Sequence, residues 1–299
     1  MSAADAARFA EQVAPYGVLE PSLEQADVAF GQPSVAECLA SAQLGWVHLN
    51  SAGWDRFDEP SVRAHFAAHG AALSNSAGVY REPCAQHLLS LMLADARQLP
   101  RSLGHQLSDR SWPQLETRAG CRLLGPGATV VLVGFGSIAA RVAELLLPFR
   151  ARVVGVRRRP SGQEPVPVVP MTELPRLLAE ADHVVDILPG GPATRHAFNA
   201  SLFSCMKLGA TFYNIGRGST VDQAALLGAL ETGQLRAAYL DVTEPEPLPP
   251  EHPLWRARGC SITPHSAGGH DDEAERLVAH FAQNLARYGQ RQPLVDRVL

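Results

Sequence analysis

The chain has 299 residues, of which 46% are hydrophobic and 19% are charged, with a formal net charge of −4 at pH 7. This length exceeds that of one ordinary hydrophobic core and predicts two domains, while the charge balance excludes a general basic surface for nucleic acid. No apolar run approaches the roughly 18 residues that span a bilayer, and the N-terminus has no secretory-signal pattern, so the cytoplasm is the expected compartment and no membrane partner is expected.

The cysteine pattern favours neither disulfides nor a bound metal. The five cysteines are scattered and odd in number, and none forms a C-x-x-C pair. Disulfide frameworks and zinc sites both need paired spacings. We therefore expect no metal site, and we interpret the cysteines as small apolar residues.

The N-terminal part reads as a separate unit. Strands are expected at residues 28–30 and 46–49, and a long helix over residues 83–97. The chain begins with a polar, helix-like segment, and only residues 17–20 could form an earlier strand. The next stretch, residues 98–127, is polar, rich in arginine and interrupted by prolines, which predicts an excursion between domains and a boundary near Arg97.

A glycine-rich turn follows the first strand of the second part. Thr129–Val133 is a β-branched run suited to a buried parallel strand, and an amphipathic helix begins after Gly136. Gly134 permits the tight turn, Gly136 lets backbone amides approach a pyrophosphate, and Ala139 replaces the third glycine where helix and strand pack. Strand, turn and helix together predict a dinucleotide site, although the bare glycine pattern also arises by chance.

The residue after the second strand bears on which nicotinamide cofactor is bound. That strand is expected at Arg152–Val156, and Arg157, Arg158 and Arg159 follow it, with no acid before Glu164. A carboxylate here binds the adenine ribose of NAD, whereas an arginine accommodates the 2′-phosphate of NADP. The pattern favours NADP over NAD, although three arginines can also be a solvated turn.

Further strands alternate with helices along the rest of the chain, which indicates a doubly wound α/β domain. These strands are expected at residues 184–188, 211–215, 238–242 and 261–263. A last helix is expected after them, capped by Asp271 or Asp272. We expect Leu277, Val278, Phe281 and Leu285 to point inward from that helix.

Three polar side chains follow successive strand ends. Arg217 lies between two glycines, Glu246 lies between two prolines, and His265 follows Thr263-Pro264. Taken singly, each is more often structural than catalytic. Because parallel strands end at one edge of a sheet, the three could converge as a positive anchor, an acid that orients imidazole, and a proton donor suited to carbonyl reduction.

With these motifs assembled, the chain resembles the D-isomer-specific 2-hydroxyacid dehydrogenase family from about Val28 to the C-terminal helix. Seven motifs stand in the family's order. They are SAGWD from Ser51, the helix with Gln86-His87, VGFGSIA, LPGGPATRHAFN, NIGRGSTVD, DVTEPEP and TPHSAGG. The family commonly has Glu where Gln86 stands and Asp where Arg157 stands.

The resemblance implies hydride transfer between the nicotinamide and C2 of a small 2-oxo or D-2-hydroxy acid, as in glyoxylate or hydroxypyruvate reductases. Arg217 would bind the carbonyl and carboxylate oxygens, His265 would move the proton, and Glu246 would hold the other ring nitrogen. Asp241 would bind the nicotinamide carboxamide, although it could be a simple strand-end cap. Thr194 would approach the cofactor, with a helix N-cap as the equal alternative.

The remaining implied site residues fall into two sets. The substrate carboxylate would meet the loop formed by Ala52, Gly53 and Trp54, where Trp54 either restricts the pocket or simply packs. Cofactor contacts would come from the glycine turn, the arginines after the second strand and four further strand ends. These are Gly134, Phe135, Gly136, Ser137, Ile138, Arg157, Arg158, Leu188, Pro189, Thr194, Ile215, Asp241 and His265.

The implied architecture is α/β with two domains, a Rossmann-type cofactor domain at residues 98–271 inserted into a flavodoxin-like substrate domain at residues 1–97 and 272–299. The sequence leaves open whether the substrate domain keeps its usual first strand. The resemblance further implies a homodimer. A nucleotide-sensing corepressor with little turnover is the alternative function, as is an NAD-dependent relative acting on another 2-hydroxy acid.

Overall fold

The computed structural model describes residues 3–20 and 22–299. Helices and strands alternate along most of the chain. The helices are α1 (Ala3–Val13), α2 (Val35–Ala40), α3 (Pro60–His69), α4 (Ala77–Ala96), α5 (Leu99–Leu107), α6 (Gln114–Gly120), α7 (Ser137–Leu146), α8 (Leu174–Leu178), α9 (Ala200–Ser204), α10 (Gln223–Glu231) and α11 (Glu273–Gly289). The strands are β1 (Val28–Gly31), β2 (Trp46–Leu49), β3 (Ala72–Ser74), β4 (Thr129–Val133), β5 (Arg152–Val156), β6 (Val168–Val169), β7 (His183–Asp186), β8 (Ala210–Asn214), β9 (Leu235–Leu240) and β10 (Cys260–Ile262).

The chain divides into two compact units. One comprises Met1–Arg81 with Gly269–Leu299, and the other comprises Glu82–Gly268. The first border falls inside α4, which begins at Ala77 and not at the expected residue 83. The domain borders expected after residues 97 and 271 stay predictions. The assignment of cofactor and substrate roles to the two domains stays a prediction.

The smaller unit contains a parallel sheet of order β1-β2-β3. Val47 and Leu73 pack with Phe57 and Phe66 on one side of this sheet. Residues 17–20 form no strand, so among the described residues no strand precedes β1, a possibility that the sequence had left open.

The last helix, α11, packs against the same small sheet. It buries Val278, Phe281 and Leu285 as predicted, whereas Leu277 is only half-buried. Asp272 takes the N-cap position but makes no capping bond, because its carboxylate accepts hydrogen bonds from Arg276 and His270. The predicted face is therefore confirmed in part, and the side-chain cap is wrong.

The larger unit contains a seven-stranded parallel sheet of order β10-β9-β8-β7-β4-β5-β6. The central strands β4, β7 and β8 are buried along their whole length, as expected of strands covered by helices on both faces. Successive strands run outward in one direction from β4 to β6 and in the other from β7 to β10. The order thus reverses between β4 and β7, which is where doubly wound sheets bind ligands beyond their carboxyl ends.

Residues 98–127 contain two helices, α5 and α6. The prolines in this stretch predicted an excursion between domains and gave no indication of a helix. Neither helix buries a residue, as expected of an excursion from the core. Their surface is not simply polar, however. Large apolar side chains are exposed at Leu99, Leu103, Leu107, Trp112, Leu115 and Leu123. Over the described ranges of the chain, no helix combines the length and apolarity needed to cross a membrane.

Candidate active site

The glycine turn after β4 packs closely against the ends of β5 and β7. Gly134 has a φ of +95°, and a Cβ added there would lie 2.6 Å from the carbonyl oxygen of Ile187, just beyond β7. Its amide donates to the carbonyl of Val156 at the end of β5, at 2.9 Å. Glycine is therefore required here both for its conformation and for the close approach of backbone.

Beyond this turn, the first turn of α7 is open to a ligand. Gly136 is the N-cap, no side chain caps the helix, and no atom lies within 4 Å of the position of a Cβ on Gly136. Amides of a first helical turn have no partner within the helix, so they favour a bound anion. This cradle fits the pyrophosphate of a dinucleotide, with Ser137 and Ile138 as the first helical residues.

Phe135 contributes only backbone to this cradle. Its ring is buried, and a Cβ on Gly155 of β5 would collide with it. The side chain therefore packs the turn against the sheet, and the candidate cofactor contact at Phe135 is restricted to main-chain atoms.

Arg217 is positioned by the glycines on either side of it. A Cβ on Gly216 would lie 2.6 Å from the carbonyl oxygen of Leu188, and a Cβ on Gly218 would overlap the carbonyl of Thr243. The loops that follow β7, β8 and β9 are thus stacked backbone on backbone. The Arg217 guanidinium donates to the carbonyl of Gly216 at 2.7 Å, which curls the side chain over its own loop.

A buried acid behind Arg217 holds this arrangement, and sequence reasoning missed it. Asp186 is fully buried at the end of β7 and accepts hydrogen bonds from the Leu188 amide at 2.9 Å and the Thr220 hydroxyl at 2.5 Å. Asn214 and Thr220 both contact the Arg217 carbonyl, at 2.9 and 2.6 Å. Burial raises the pKa of Asp186 to about 7. A polar residue closing an otherwise apolar strand was the available signal.

The predicted acid and histidine are in contact. The Glu246 carboxylate lies 2.9 Å from Nδ1 of His265, and its other oxygen accepts the Thr243 amide at 3.1 Å. The side chains of His265 and Glu246 are 56% and 38% exposed, so the pair is open to a ligand. With Nδ1 held by the carboxylate, Nε2 of the imidazole is the atom left to exchange a proton with a substrate.

Asp241 anchors the loop that carries His265. Its oxygens accept hydrogen bonds from the Thr263 hydroxyl at 2.6 Å and from the amides of Ser266 and Ala267 at 2.9 and 3.0 Å. The carboxylate is only 2% exposed, as expected of a strand-end cap. A contact between Asp241 and the nicotinamide carboxamide stays a prediction.

Thr194 lies in the loop after β7 and is not a helix cap. Its hydroxyl donates to the carbonyl of Pro189 at 2.7 Å, and the next helix begins six residues later in the chain, capped by Asn199. The N-cap alternative is therefore wrong. Leu188 and Ile215, the other strand-end candidates, are buried, whereas Pro189 is exposed.

In the loop after β5, an acid lies beside the first arginine of the predicted phosphate site. Glu164, which is seven residues from Arg157 in the sequence, lies 3.4 Å from its guanidinium. Arg158 and Arg159 are exposed. The first arginine is thus paired within its own loop, which the sequence separation did not reveal.

In the smaller unit, the loop of Ala52, Gly53 and Trp54 is held by its carbonyls. The Ser51 hydroxyl and the Asn75 amide group donate to the carbonyls of Gly53 and Ala52, each at 2.7 Å. Within the part of the chain that the structure describes, the backbone amides of residues 52–54 have no acceptor. Trp54 packs on the core, with the Arg63 guanidinium 5.1 Å from its ring, which favours the packing interpretation.

Comparison with known proteins agrees with this geometry. The family model described as "D-isomer specific 2-hydroxyacid dehydrogenase, NAD binding domain" matches residues 89–267. The glyoxylate reductase/hydroxypyruvate reductase of Homo sapiens is 32% identical over 248 residues, which cover 82% of this chain and 74% of the human protein. The glyoxylate reductase of Aeropyrum pernix is 34% identical over 226 residues, which cover 74% of this chain and 67% of that protein.

A solved structure is similar over nearly the whole chain. It is a D-isomer specific 2-hydroxyacid dehydrogenase from Xanthobacter autotrophicus Py2 in complex with NADPH and MES. The TM-score is 0.79 at 28% identity, and the match covers 96% of this chain and 88% of that one.

The stacked loops generate a stability prediction. Replacing Gly218 by Ala places a Cβ against the Thr243 backbone, and we expect it to destabilise the protein by about 1–3 kcal/mol because backbone cannot move aside cheaply. Gly228→Ala is the matched control, since nothing lies near that position inside α10 and alanine favours a helix by about 0.5–1 kcal/mol. Urea unfolding of both variants measures this, and equal midpoints would contradict the packing.

Proposed function

Because the chain belongs to the D-isomer-specific 2-hydroxyacid dehydrogenase family, we propose that it reduces a small 2-oxo acid to a D-2-hydroxy acid with NADPH. The contact between Glu246 and Nδ1 of His265 carries this proposal, since it leaves an exposed imidazole nitrogen directed by a carboxylate. Glyoxylate and hydroxypyruvate are the proposed substrates, supported by the activities for which the similar human and Aeropyrum proteins are named.

In the proposed mechanism, each group of the larger unit has one task. The turn of Gly134 and Gly136 would hold the pyrophosphate of the nicotinamide cofactor, which would supply the hydride. Arg217 binds the substrate's carbonyl and carboxylate oxygens and polarises the carbonyl through charge-assisted hydrogen bonds. His265 donates a proton from Nε2 to the developing alkoxide, while Glu246 fixes the orientation of the ring through Nδ1.

The substrate carboxylate is proposed to bind the backbone amides of Ala52, Gly53 and Trp54. Those amides have no acceptor among the described residues, and an anion is the ligand that such a set of N–H groups favours. The same loop is held in shape through its carbonyls, which leaves the amides available. A small acid is proposed because the similar human and Aeropyrum proteins are named for reducing small 2-oxo acids.

The preference for NADPH rests on Arg157 and Arg158. Both follow β5, where a guanidinium can meet a 2′-phosphate and where a carboxylate would meet the ribose of NAD. The similar Xanthobacter protein was solved with NADPH. No acid follows β5 in the sequence before Glu164, so no carboxylate stands directly at the strand end to bind the ribose of NAD. We therefore propose NADP as the preferred cofactor and NAD as the weaker one.

We also propose that the protein is a homodimer whose interface includes the apolar surface of residues 98–127. This surface exposes Trp112 to 88% and Leu115 to 83%, side chains that rarely lie open in a cluster. Trp112 and Thr117 line a concave region between α5 and α6. A second copy of the same chain is the occupant that the family resemblance implies.

Parallel assays test the proposed reaction. We expect loss of NADPH absorbance with glyoxylate or hydroxypyruvate, much weaker loss with NADH, and little with the bulkier phenylpyruvate. Turnover only with NADH would contradict the NADPH preference. Binding of NADPH without turnover of any 2-oxo acid would contradict the reductase proposal and return the nucleotide-sensing alternative.

Removing the proposed proton donor should separate binding from chemistry. We expect His265→Asn to lower kcat by about two to four orders of magnitude, because general acid catalysis contributes that much, while the Kd of NADPH stays nearly unchanged. His196→Asn is the control, since that imidazole is exposed and lies near Glu244, the acid two residues before Glu246. Stopped-flow kinetics and fluorescence titration measure both quantities, and near-normal turnover of His265→Asn would remove the assigned role.

A charge on the apolar surface should break the proposed dimer. We expect size-exclusion chromatography with light scattering to give twice the chain mass for the wild type and one chain mass for Leu115→Glu, because a buried unpaired carboxylate is costly. Leu208→Glu is the control, since Leu208 is also exposed in the larger unit but lies outside residues 98–127. A monomeric wild type would contradict the proposal.

A further inference from the structure

The loop after β5 binds an anion that belongs to the chain itself. The Glu164 carboxylate accepts hydrogen bonds from the amides of Ser161 at 2.7 Å and Gly162 at 2.8 Å, and it lies 3.4 Å from the Arg157 guanidinium. Although the loop is on the surface, the Glu164 side chain is only 7% exposed. The carboxylate is thus seated inside its loop and not solvated like an ordinary surface acid.

The groups around Glu164 are those that bind a phosphate. Two consecutive backbone amides form a small concave nest, made possible by a φ of +76° at Gly162, and a guanidinium adds a positive charge. The hydrogen bond from the Ser161 amide is the main cause that lowers the pKa of Glu164 to about 2. The carboxylate therefore stays ionised throughout the pH range in which an enzyme works.

We propose that Glu164 competes intramolecularly with the 2′-phosphate of NADP for Arg157 and the loop amides. This inference rests on the proposed cofactor function and deepens it. When NADP binds, its 2′-phosphate replaces Glu164 as the partner of the Arg157 guanidinium. Binding of NADP therefore requires the ion pair between Arg157 and Glu164 to break, whereas binding of NAD does not. Glu164 thereby narrows the preference for NADP over NAD that Arg157 creates.

A purely structural role for Glu164 makes a different prediction. An acid that only shapes the loop would affect every adenosine ligand alike, because all of them meet the same loop backbone. A competitor affects only ligands that carry a 2′-phosphate. The comparison of adenosine 2′,5′-bisphosphate with 5′-AMP isolates this difference, since the two ligands differ by that phosphate alone.

Calorimetric titration of the full-length protein with these two ligands tests the proposal. We expect Glu164→Gln to bind adenosine 2′,5′-bisphosphate about fivefold more tightly, in line with the loss of one partly exposed ion pair, and 5′-AMP unchanged. Glutamine keeps one of the two oxygens that accept the loop amides, and its NH2 group cannot accept the other amide. The titration with 5′-AMP therefore also reports whether the loop is disturbed. Placed on Arg157→Ala, the same substitution should give no gain, because the contested guanidinium is absent.

Glu180→Gln is the matched control. Glu180 pairs with Arg152 at 2.7 Å, at the opposite end of the same strand β5, and with Arg176 at 3.3 Å. The substitution therefore removes the same charge from a glutamate that is ion-paired away from the loop. We expect it to bind both ligands as the wild type does. A gain of the same size in Glu180→Gln would overturn the proposal, since it would then reflect net charge alone.

Two other outcomes distinguish the competitor from the cofactor proposal. Unchanged or weaker binding of the bisphosphate by Glu164→Gln, in a wild type that still prefers it to 5′-AMP, would overturn the competitor role and leave the NADP site standing. A wild type that binds neither ligand would overturn the dinucleotide site and the competitor together.

Discussion

The site depends on how closely the backbones pass one another at the carboxyl ends of the large sheet. Gly134 and Gly216 both lie against the backbone of Ile187 and Leu188, and Gly218 lies against Thr243. Any side chain at these positions would push neighbouring loops apart, so the loops after β4, β7, β8 and β9 form one packed layer. The cofactor cradle and Arg217 are built on that layer, and their geometry follows from it.

Two buried acids hold the loops of this layer together from the interior of the unit. Asp186 joins the loops after β7 and β8 through Leu188 and Thr220, and Asp241 joins the end of β9 to the loop that carries His265. Each acid satisfies donors that would otherwise be left unpaired in the interior, where a lost partner is expensive. The proposed proton donor His265 is thus exposed, while the acids Asp186 and Asp241 are buried among the strand ends.

Much of this was predictable because strands and turns have strong local signals. The β-branched run before Gly134, the glycines around Arg217 and the placement of Glu246 and His265 at strand ends identified the fold class and the principal candidates. The contact of Glu246 with His265 followed from the shared edge of a parallel sheet. Asp186 was missed because a single acid closing an apolar strand has no motif of its own.

What failed depended on contacts that sequence separation does not encode. The return of Glu164 to Arg157 arises from a turn at Gly162. The helices of residues 98–127 form despite the prolines because Pro100 and Pro113 lie at the helix starts and Pro126 lies beyond the second helix. The apolar face of these helices was hidden in a composition that is polar on average. The helical conformation places the apolar and the polar side chains of this segment on different faces, and only then does an exposed apolar surface result.

Isotope transfer is the most direct test of the central claim, that these loops orient a nicotinamide and His265 around one small 2-oxo acid. Hydroxypyruvate would be reduced with NADPH deuterated at C4 of the nicotinamide, in separate reactions for each face, and the product analysed by mass spectrometry and chiral chromatography. We expect glycerate of D configuration that carries one deuterium at C2 in one of the two reactions and none in the other. Unlabelled product in both reactions, label in both, or the L isomer would contradict the proposed arrangement.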